Sequence, residues 1–388
     1  MIDLVESATA EFFSNAVARS ATALLNDEFY PIWIQRRHPP GFREQVCAAA
    51  HLGADAALFD GTRRYHPNDT CRAVSEAVVQ WRQLPLRRRC QAARVLLMLG
   101  DYERLGQLLA DDGDDPHLRL TRVSVEVGLH RTGHRASIDH ERYLGICHAI
   151  AVDGRLKPAL RIAAGINAFL LTLQYSGRSA ASEYEWLVAQ ARVLSTRDDF
   201  LSLSLQSRIW RAAAMHSQRV RCIPRMHREM DRAQQLGEHA RPGNSIEAFL
   251  RTENLFSVYE SRTKEYLHVG DTDRACDYAI TLVTMFPQQS AALIELGEVL
   301  LARAQWLEAA RRYLEADAYA PLGSALAMFM AGEAFRLAGR KAPALAAYVQ
   351  SQRQDRLAVS SVRQALYVAH AQGCSAPLQT WAERASAT

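Results

Sequence analysis

Lysine is nearly missing from this 388-residue chain: Lys157, Lys264 and Lys341 are the only ones, so arginine carries almost all of a net charge of +4. An excess that small argues against nucleic acid as the partner, and aromatic residues are not interleaved with arginine as stacking on RNA would need, so binding through the arginines between Arg63 and Arg94 is the weakest of the readings. The arginine preference reads first as the codon bias of a GC-rich, bacterial genome. Runs such as Arg87-Arg88-Arg89 read as solvated helix face.

Cysteine is sparse and unpaired, standing singly at positions 47, 71, 90, 147, 222, 276 and 374, with no Cys-x-x-Cys pair and no framework spacing. A reducing cytoplasm fits that usage. Long apolar runs are missing too. The best candidate, Ala159 to Tyr175, is broken by Arg161, Gly165 and Asn167, and the start, Met1 to Glu6, lacks the basic and apolar segments of an export signal. Neither a membrane span nor export is expected.

The familiar catalytic signatures are absent: no Gly-x-x-x-x-Gly-Lys-[Ser/Thr] loop, no Gly-x-Gly-x-x-Gly turn, no His-Glu-x-x-His pair and no Gly-x-Ser-x-Gly elbow. No cofactor is expected. Asp111-Asp112-Gly113-Asp114-Asp115 lacks the ligand spacing and terminal glutamate of a calcium loop, and reads instead as an acidic turn favouring the next helix N-terminus.

Apolar residues recur three and four apart over segments of roughly 12 to 20 residues between Gly, Pro, Asp or Asn breaks, and strand-like alternation is nearly absent. The chain is therefore all-α. Towards the C-terminus the pattern repeats: Ala275, Ala309 and Ala344 are 34 and 35 residues apart, Gly270, Ala304 and Gly339 keep the same intervals, and Pro287 and Pro321 are 34 apart. Small residues at fixed intervals let two antiparallel helices joined by a tight turn approach closely. Within Ala291 to Pro321 the first helix carries Leu293, Leu296, Gly297 and Leu300, the second Trp306, Ala309, Tyr313 and Ala316, and proline closes the unit.

These residues resemble the tetratricopeptide repeat. The next unit places Met328, Ala331, Gly332, Phe335, Gly339, Ala344 and Tyr348 on the same columns, whereas the preceding one has Arg262-Thr263 where Leu-Gly belongs. Val359 to Gln372 and Pro377 to Ala385 would cap the array. Arg89 to Pro116 reads as one more hairpin; Leu156 to Tyr175 is paired with Ala180 to Leu194, and Asp199 to His216 with Arg219 to His239. The resemblance implies a right-handed superhelical array of antiparallel helix hairpins, a TPR-like α-solenoid. Its expected parts are a less regular N-terminal helical region over 1–85, degenerate hairpins over 86–243 and clear repeats over 244–388, with Arg241 to Asn244 as the joint and Asn244 as a cap.

The family takes its ligands on the first helix of each hairpin. Carried over, those columns hold Glu260, Lys264 and His268, then Ile294, Glu298 and Leu301, then Phe329, Glu333 and Arg336, then Arg363, Tyr367 and His370. Phe329 and Tyr367 would anchor a protein or peptide partner while Lys264, Arg336 and Arg363 meet its carboxylates. The family's lysine, asparagine and arginine clamp is not reproduced. Oligomeric state stays open: an incompletely capped array can form a homodimer through its last repeat, near Trp381. A second reading is an enzyme whose central region holds His130, His134, Asp139, His140 and Glu141 around a metal or as a general acid-base group, His130 and His134 lying one turn apart if the helix runs through Gly133.

Overall fold

The computed structural model describes residues 79–354, except 100–101, 111–114, 132–136, 244, 288 and 320–323. The expected N-terminal subdomain (all but its last few residues), the C-terminal cap, Trp381, Arg363, Tyr367, His370, His134, Asn244 and Pro321 lie outside the described residues. After one 3-10 turn, Trp81–Gln83, come fourteen helices, and no strand occurs among the described residues: α1 (Leu86–Leu99), α2 (Tyr102–Leu108), α3 (Pro116–Arg131), α4 (His140–Val152), α5 (Pro158–Leu171), α6 (Ala181–Leu194), α7 (Phe200–Arg219), α8 (Ile223–His239), α9 (Ser245–Val269), α10 (Thr272–Met285), α11 (Ser290–Ala302), α12 (Trp306–Tyr319), α13 (Ala325–Leu337) and α14 (Lys341–Gln354). The fold is an all-α array of helix hairpins of the tetratricopeptide-like kind. Two compact units divide it within α9, between Val258 and Tyr259.

In the first unit, each helix from α1 to α7 packs on the next, through to α8. The centre is α5, apolar nearly all round and buried at 12 of its 14 positions, including Leu160, Ile162, Ile166, Phe169 and Leu171. Each of those five side chains contributes about 1.5–3 kcal/mol by leaving water. α5 packs on α4 as well as on α6, so the segment from Leu156 has a second partner besides the one its sequence spacing suggests. Gly165 admits the Trp186 ring so closely that a β-carbon there would lie 2.1 Å from it. The acidic turn before α3 does what its charge suggests: the Asp115 carboxylate accepts from the His117 and Leu118 amides, at 3.0 and 3.2 Å. Pro116 consequently opens α3 rather than closing the hairpin before it, its missing N–H costing nothing in the first turn. Polar stitches join α7, α8 and the first half of α9. Ser207 Oγ donates to the Ala233 carbonyl at 2.7 Å, and Asn254 Nδ2 donates to Ser207 Oγ at 2.9 Å.

In the second unit the small-residue columns separate into two roles. Gly297 and Gly332 are the close approaches, where a β-carbon would lie 2.6 Å from the Tyr313 ring and 2.5 Å from the Tyr348 ring. Gly270, Ala304 and Gly339 do not serve a crossing. Each takes a positive φ, 82°, 57° and 71°, just past the first helix of its hairpin. The following amide reaches back to the carbonyl five residues earlier, Asp271 to Tyr266, Gln305 to Leu300 and Arg340 to Phe335, at 2.8–2.9 Å. That is the glycine-type helix stop. Arg221, with φ 56°, ends α7 in the same manner, Cys222 N–H donating to the Ser217 carbonyl at 2.8 Å. The α7–α8 hairpin thus shares the turn geometry of the clear repeats although an arginine hides it in the sequence. A β-carbon at positive φ is strained by about 1 kcal/mol, so Ala304→Gly is expected to raise stability by about 0.5–1 kcal/mol, read as a shifted urea midpoint at unchanged slope.

Candidate functional site

The first helices of the second unit's hairpins are the later half of α9, α11 and α13. Intervals of 34 and 35 place Glu260, Ile294 and Phe329 in one column, and Lys264, Glu298 and Glu333 in the next. Leu301 and Arg336 share their column with Leu267, and Leu267 and Leu301 both pack against the same core cluster. His268 is one position too far along the helix and lies exposed, a correction to its place in the set.

Two of the three cations expected to meet a partner's carboxylates, Lys264 and Arg336, already have carboxylates of their own. Lys264 Nζ stands 2.6 Å from Glu260 Oε1, one turn away on α9, and 2.9 Å from Glu295 Oε1 on α11. Burial works against its charge, but the two carboxylates outweigh it and hold the ammonium above its ordinary range. Arg336 donates to Glu333 Oε2 at 2.7 Å, and Tyr348 donates to Glu333 Oε1 at 2.6 Å. Phe329 packs against the Tyr348 ring, centroids 5.8 Å apart. Ile294 and Leu301 are half-buried at the edge of the core.

Glu298 differs from the rest. It is half-buried and makes no hydrogen bond or ion pair among the described residues, and burial, reinforced by Glu260 and opposed by Lys264, raises its pKa. Below it, Tyr313 is wholly buried and its hydroxyl has no partner among the described residues. Burial, then the charges of Glu298 and Glu295, push that phenol well above its ordinary range. Glu295, 6% exposed, also leaves Oε2 without a partner.

Burial outweighs Lys264 and lifts the Glu295 carboxyl from 4.5 to about 8, with Glu260 and Glu298 adding to the shift. Below its unfolded pKa this group is protonated in both folded and unfolded chain and costs nothing. As pH rises through the window from 4.5 to about 8, the unfolded chain releases the proton first, so stability falls. Glu295→Gln is therefore expected to melt with the parent at pH 5 and several degrees above it at pH 9, by differential scanning fluorimetry.

The sequence pattern points less well to the central histidines. His130, near the end of α3, meets the Tyr175 ring edge-on at 5.8 Å, while His140 opens α4 with Nε2 3.4 Å from Glu141. Asp139 caps α4 by accepting from the Arg142 amide at 3.1 Å, and Glu141 pairs with Arg178 at 2.8 Å. α3 is described as far as Arg131. Among the described residues no three His, Cys, Asp or Glu side chains are grouped as a metal would need.

Two features of the second unit escaped the sequence reading. Glu295 sits among Ala292, Leu293, Leu296 and Gly297, and a carboxylate inside that apolar stripe is the signal that could have found it. Arg262, 2% exposed, pairs with buried Glu265 at 2.8 Å and lies over the rings of Tyr266 and Tyr278 at 6.0 and 5.8 Å. It is this buried pair that makes the first hairpin look degenerate.

No protein-family profile matches the chain, and no curated protein matches it. Solved structures do. The yeast Tom70 crystal structure is 11% identical, covering 95% of this chain and 69% of that one, with a TM-score of 0.49. A tetratricopeptide repeat protein from Parabacteroides merdae is 9% identical over 76% of this chain and 98% of its own, with a TM-score of 0.41. The human IFIT1 dimer with m7Gppp-AAAA is 10% identical over 100% of both, with a TM-score of 0.42. Among the described residues no helix is long and apolar enough to cross a membrane.

Proposed function

We propose that this chain, whose fold is a tetratricopeptide-like helical array, is a scaffold or accessory protein of the cytoplasm that holds a protein or peptide partner on the first-helix face of its second unit. The observation that carries the reading is Glu298. It stands half-buried and unpaired among the described residues, in register with the apolar edge formed by Ile294, Leu301 and Phe329. An apolar strip that excludes water around a carboxylate awaiting a counter-charge is the make-up of a recognition surface rather than of a merely solvated helix. Repeat arrays present such strips on successive hairpins, so a partner gains from several shallow contacts at once.

The test is a benzophenone amino acid placed at Phe329 and, separately, at Leu314, which is exposed on α12. After irradiation in a lysate of the source organism, adducts are identified by mass spectrometry. A defined polypeptide attached through position 329 and absent from 314 is expected. No adduct at 329, or the same set of adducts at both positions, contradicts the reading.

A further inference from the structure

The last two hairpins are copies of one arrangement at an interval of 35 residues, so that Glu298 corresponds to Glu333, Tyr313 to Tyr348 and Leu301 to Arg336. In the last hairpin the arrangement is closed. The Glu333 carboxylate takes the Tyr348 hydroxyl on one oxygen and the Arg336 guanidinium on the other. In the middle hairpin the same carboxylate and the same phenol are both present, but leucine occupies the arginine position. Glu298 has no hydrogen bond or ion pair, and the buried Tyr313 hydroxyl has no partner, among the described residues.

The structure assigns to this opening a guanidinium from outside the chain: we propose that Glu298, with Tyr313 beneath it and Glu295 and Glu260 beside it, is the seat for an arginine side chain of the bound partner. The inference rests on the reading that this face receives a polypeptide, and it names the chemistry of the residue that does so.

Charge supports the assignment. Glu260 and Glu295 flank the Lys264 ammonium, Glu298 lies within its electrostatic reach, and the cluster lacks positive charge when all three carboxyls are ionised. The shortage favours the protonated form of the Glu295 and Glu298 carboxyls, whose pKa values burial raises. A guanidinium meets it otherwise, because its planar fork can bind a carboxylate with two parallel hydrogen bonds, a geometry an ammonium lacks. The wall of the seat is apolar: Leu301 and Ile294 are half-buried hydrophobic side chains, suited to the methylene stem of an arginine. The groups facing Glu298 electrostatically are Lys264 and Glu260 from α9, and Tyr313 from α12. Lys264 is engaged by Glu260 and Glu295, which leaves Glu298 as the free end of the cluster.

The probe is N-acetyl-arginine methylamide, titrated into the full chain while backbone amide resonances are recorded, with the neutral citrulline analogue and sodium chloride at equal ionic strength as references. Saturable shifts at Gly297, Glu298 and Leu301 are expected with the arginine compound, at least tenfold tighter than with citrulline. Two variants decide the site. Glu298→Gln is expected to lose the preference for arginine over citrulline, and Leu301→Arg, which supplies the chain's own guanidinium as in the last hairpin, to lose binding altogether with the helical circular dichroism retained. Equal response to citrulline, shifts that follow sodium chloride, or undiminished binding in either variant overturns the assignment. The two readings fail separately: no adduct from position 329 defeats the partner surface, whereas an adduct still formed by Leu301→Arg defeats only the arginine seat.

Discussion

Tyr313→Ala is expected to cost about 3–5 kcal/mol, among the largest losses of any single change in the second unit. Its ring is wholly buried and lies over Gly297, at the place where α11 and α12 come closest. Removing it leaves a cavity that two helices already in contact cannot readily close. The converse change, Gly297→Ala, gains about 1 kcal/mol of helix propensity. It nevertheless places a β-carbon 2.6 Å from the ring, and the expected balance is a net loss of about 1–3 kcal/mol.

The first hairpin shows how the two changes can be combined. At an interval of 34, its residues matching Gly297 and Tyr313 are Thr263 and Ala279, both fully buried. Volume has been moved from one helix to the other. The double variant Gly297→Thr, Tyr313→Ala is therefore expected to lose at least about 1 kcal/mol less than the sum of its single changes, by urea denaturation. Additive losses would show that the two positions do not share a space. Tyr313→Phe is the control, expected to be neutral or stabilising because the hydroxyl it removes has no partner among the described residues.

Glu265→Ala is expected to cost about 3–5 kcal/mol, because it leaves the Arg262 guanidinium buried without the carboxylate that faces it at 2.8 Å. Replacing both, as Arg262→Met with Glu265→Leu, is expected to recover most of that loss, since two apolar groups of similar volume need no counter-charge. The comparison separates the cost of removing the facing carboxylate from the worth of the pair itself. Should the double variant fall as far as Glu265→Ala, the pair contributes through its contacts over Tyr266 and Tyr278, and charge compensation is not its main role. Hydrogen exchange would place either loss, expected in α9, α10 and their neighbours, as the nearest-neighbour character of repeat arrays requires.

The fold was legible in the sequence wherever one residue type had one use. Tyr313 and Tyr348, 35 residues apart, and the glycines they cover mark the hairpins because only glycine admits a ring so near a helix backbone. The turn column was read from size, yet what Gly270, Ala304 and Gly339 share is positive φ, and Arg221 adopts it too with no glycine to announce it. That is why the α7–α8 hairpin could be recognised as a helix pair but not aligned. The site was legible as a set of columns, which the repeat interval supplies, but not as a set of free groups. Lys264 and Arg336 look available in sequence because their partners, Glu295 and Glu333, differ in kind: one faces across to another helix, the other lies three residues back along the same one. Glu298 acquires its meaning only beside Glu333, as the same carboxylate without its arginine.

The decisive question is whether the first-helix face holds a polypeptide and whether the Glu298 opening takes its cation. The photo-adduct at Phe329, measured in the parent chain and in Leu301→Arg, joins both parts of it. A defined polypeptide captured through position 329, cross-linked at an arginine-containing segment and lost when Leu301 becomes arginine, is the predicted result. An adduct of equal yield in the two chains, or none in either, would contradict it.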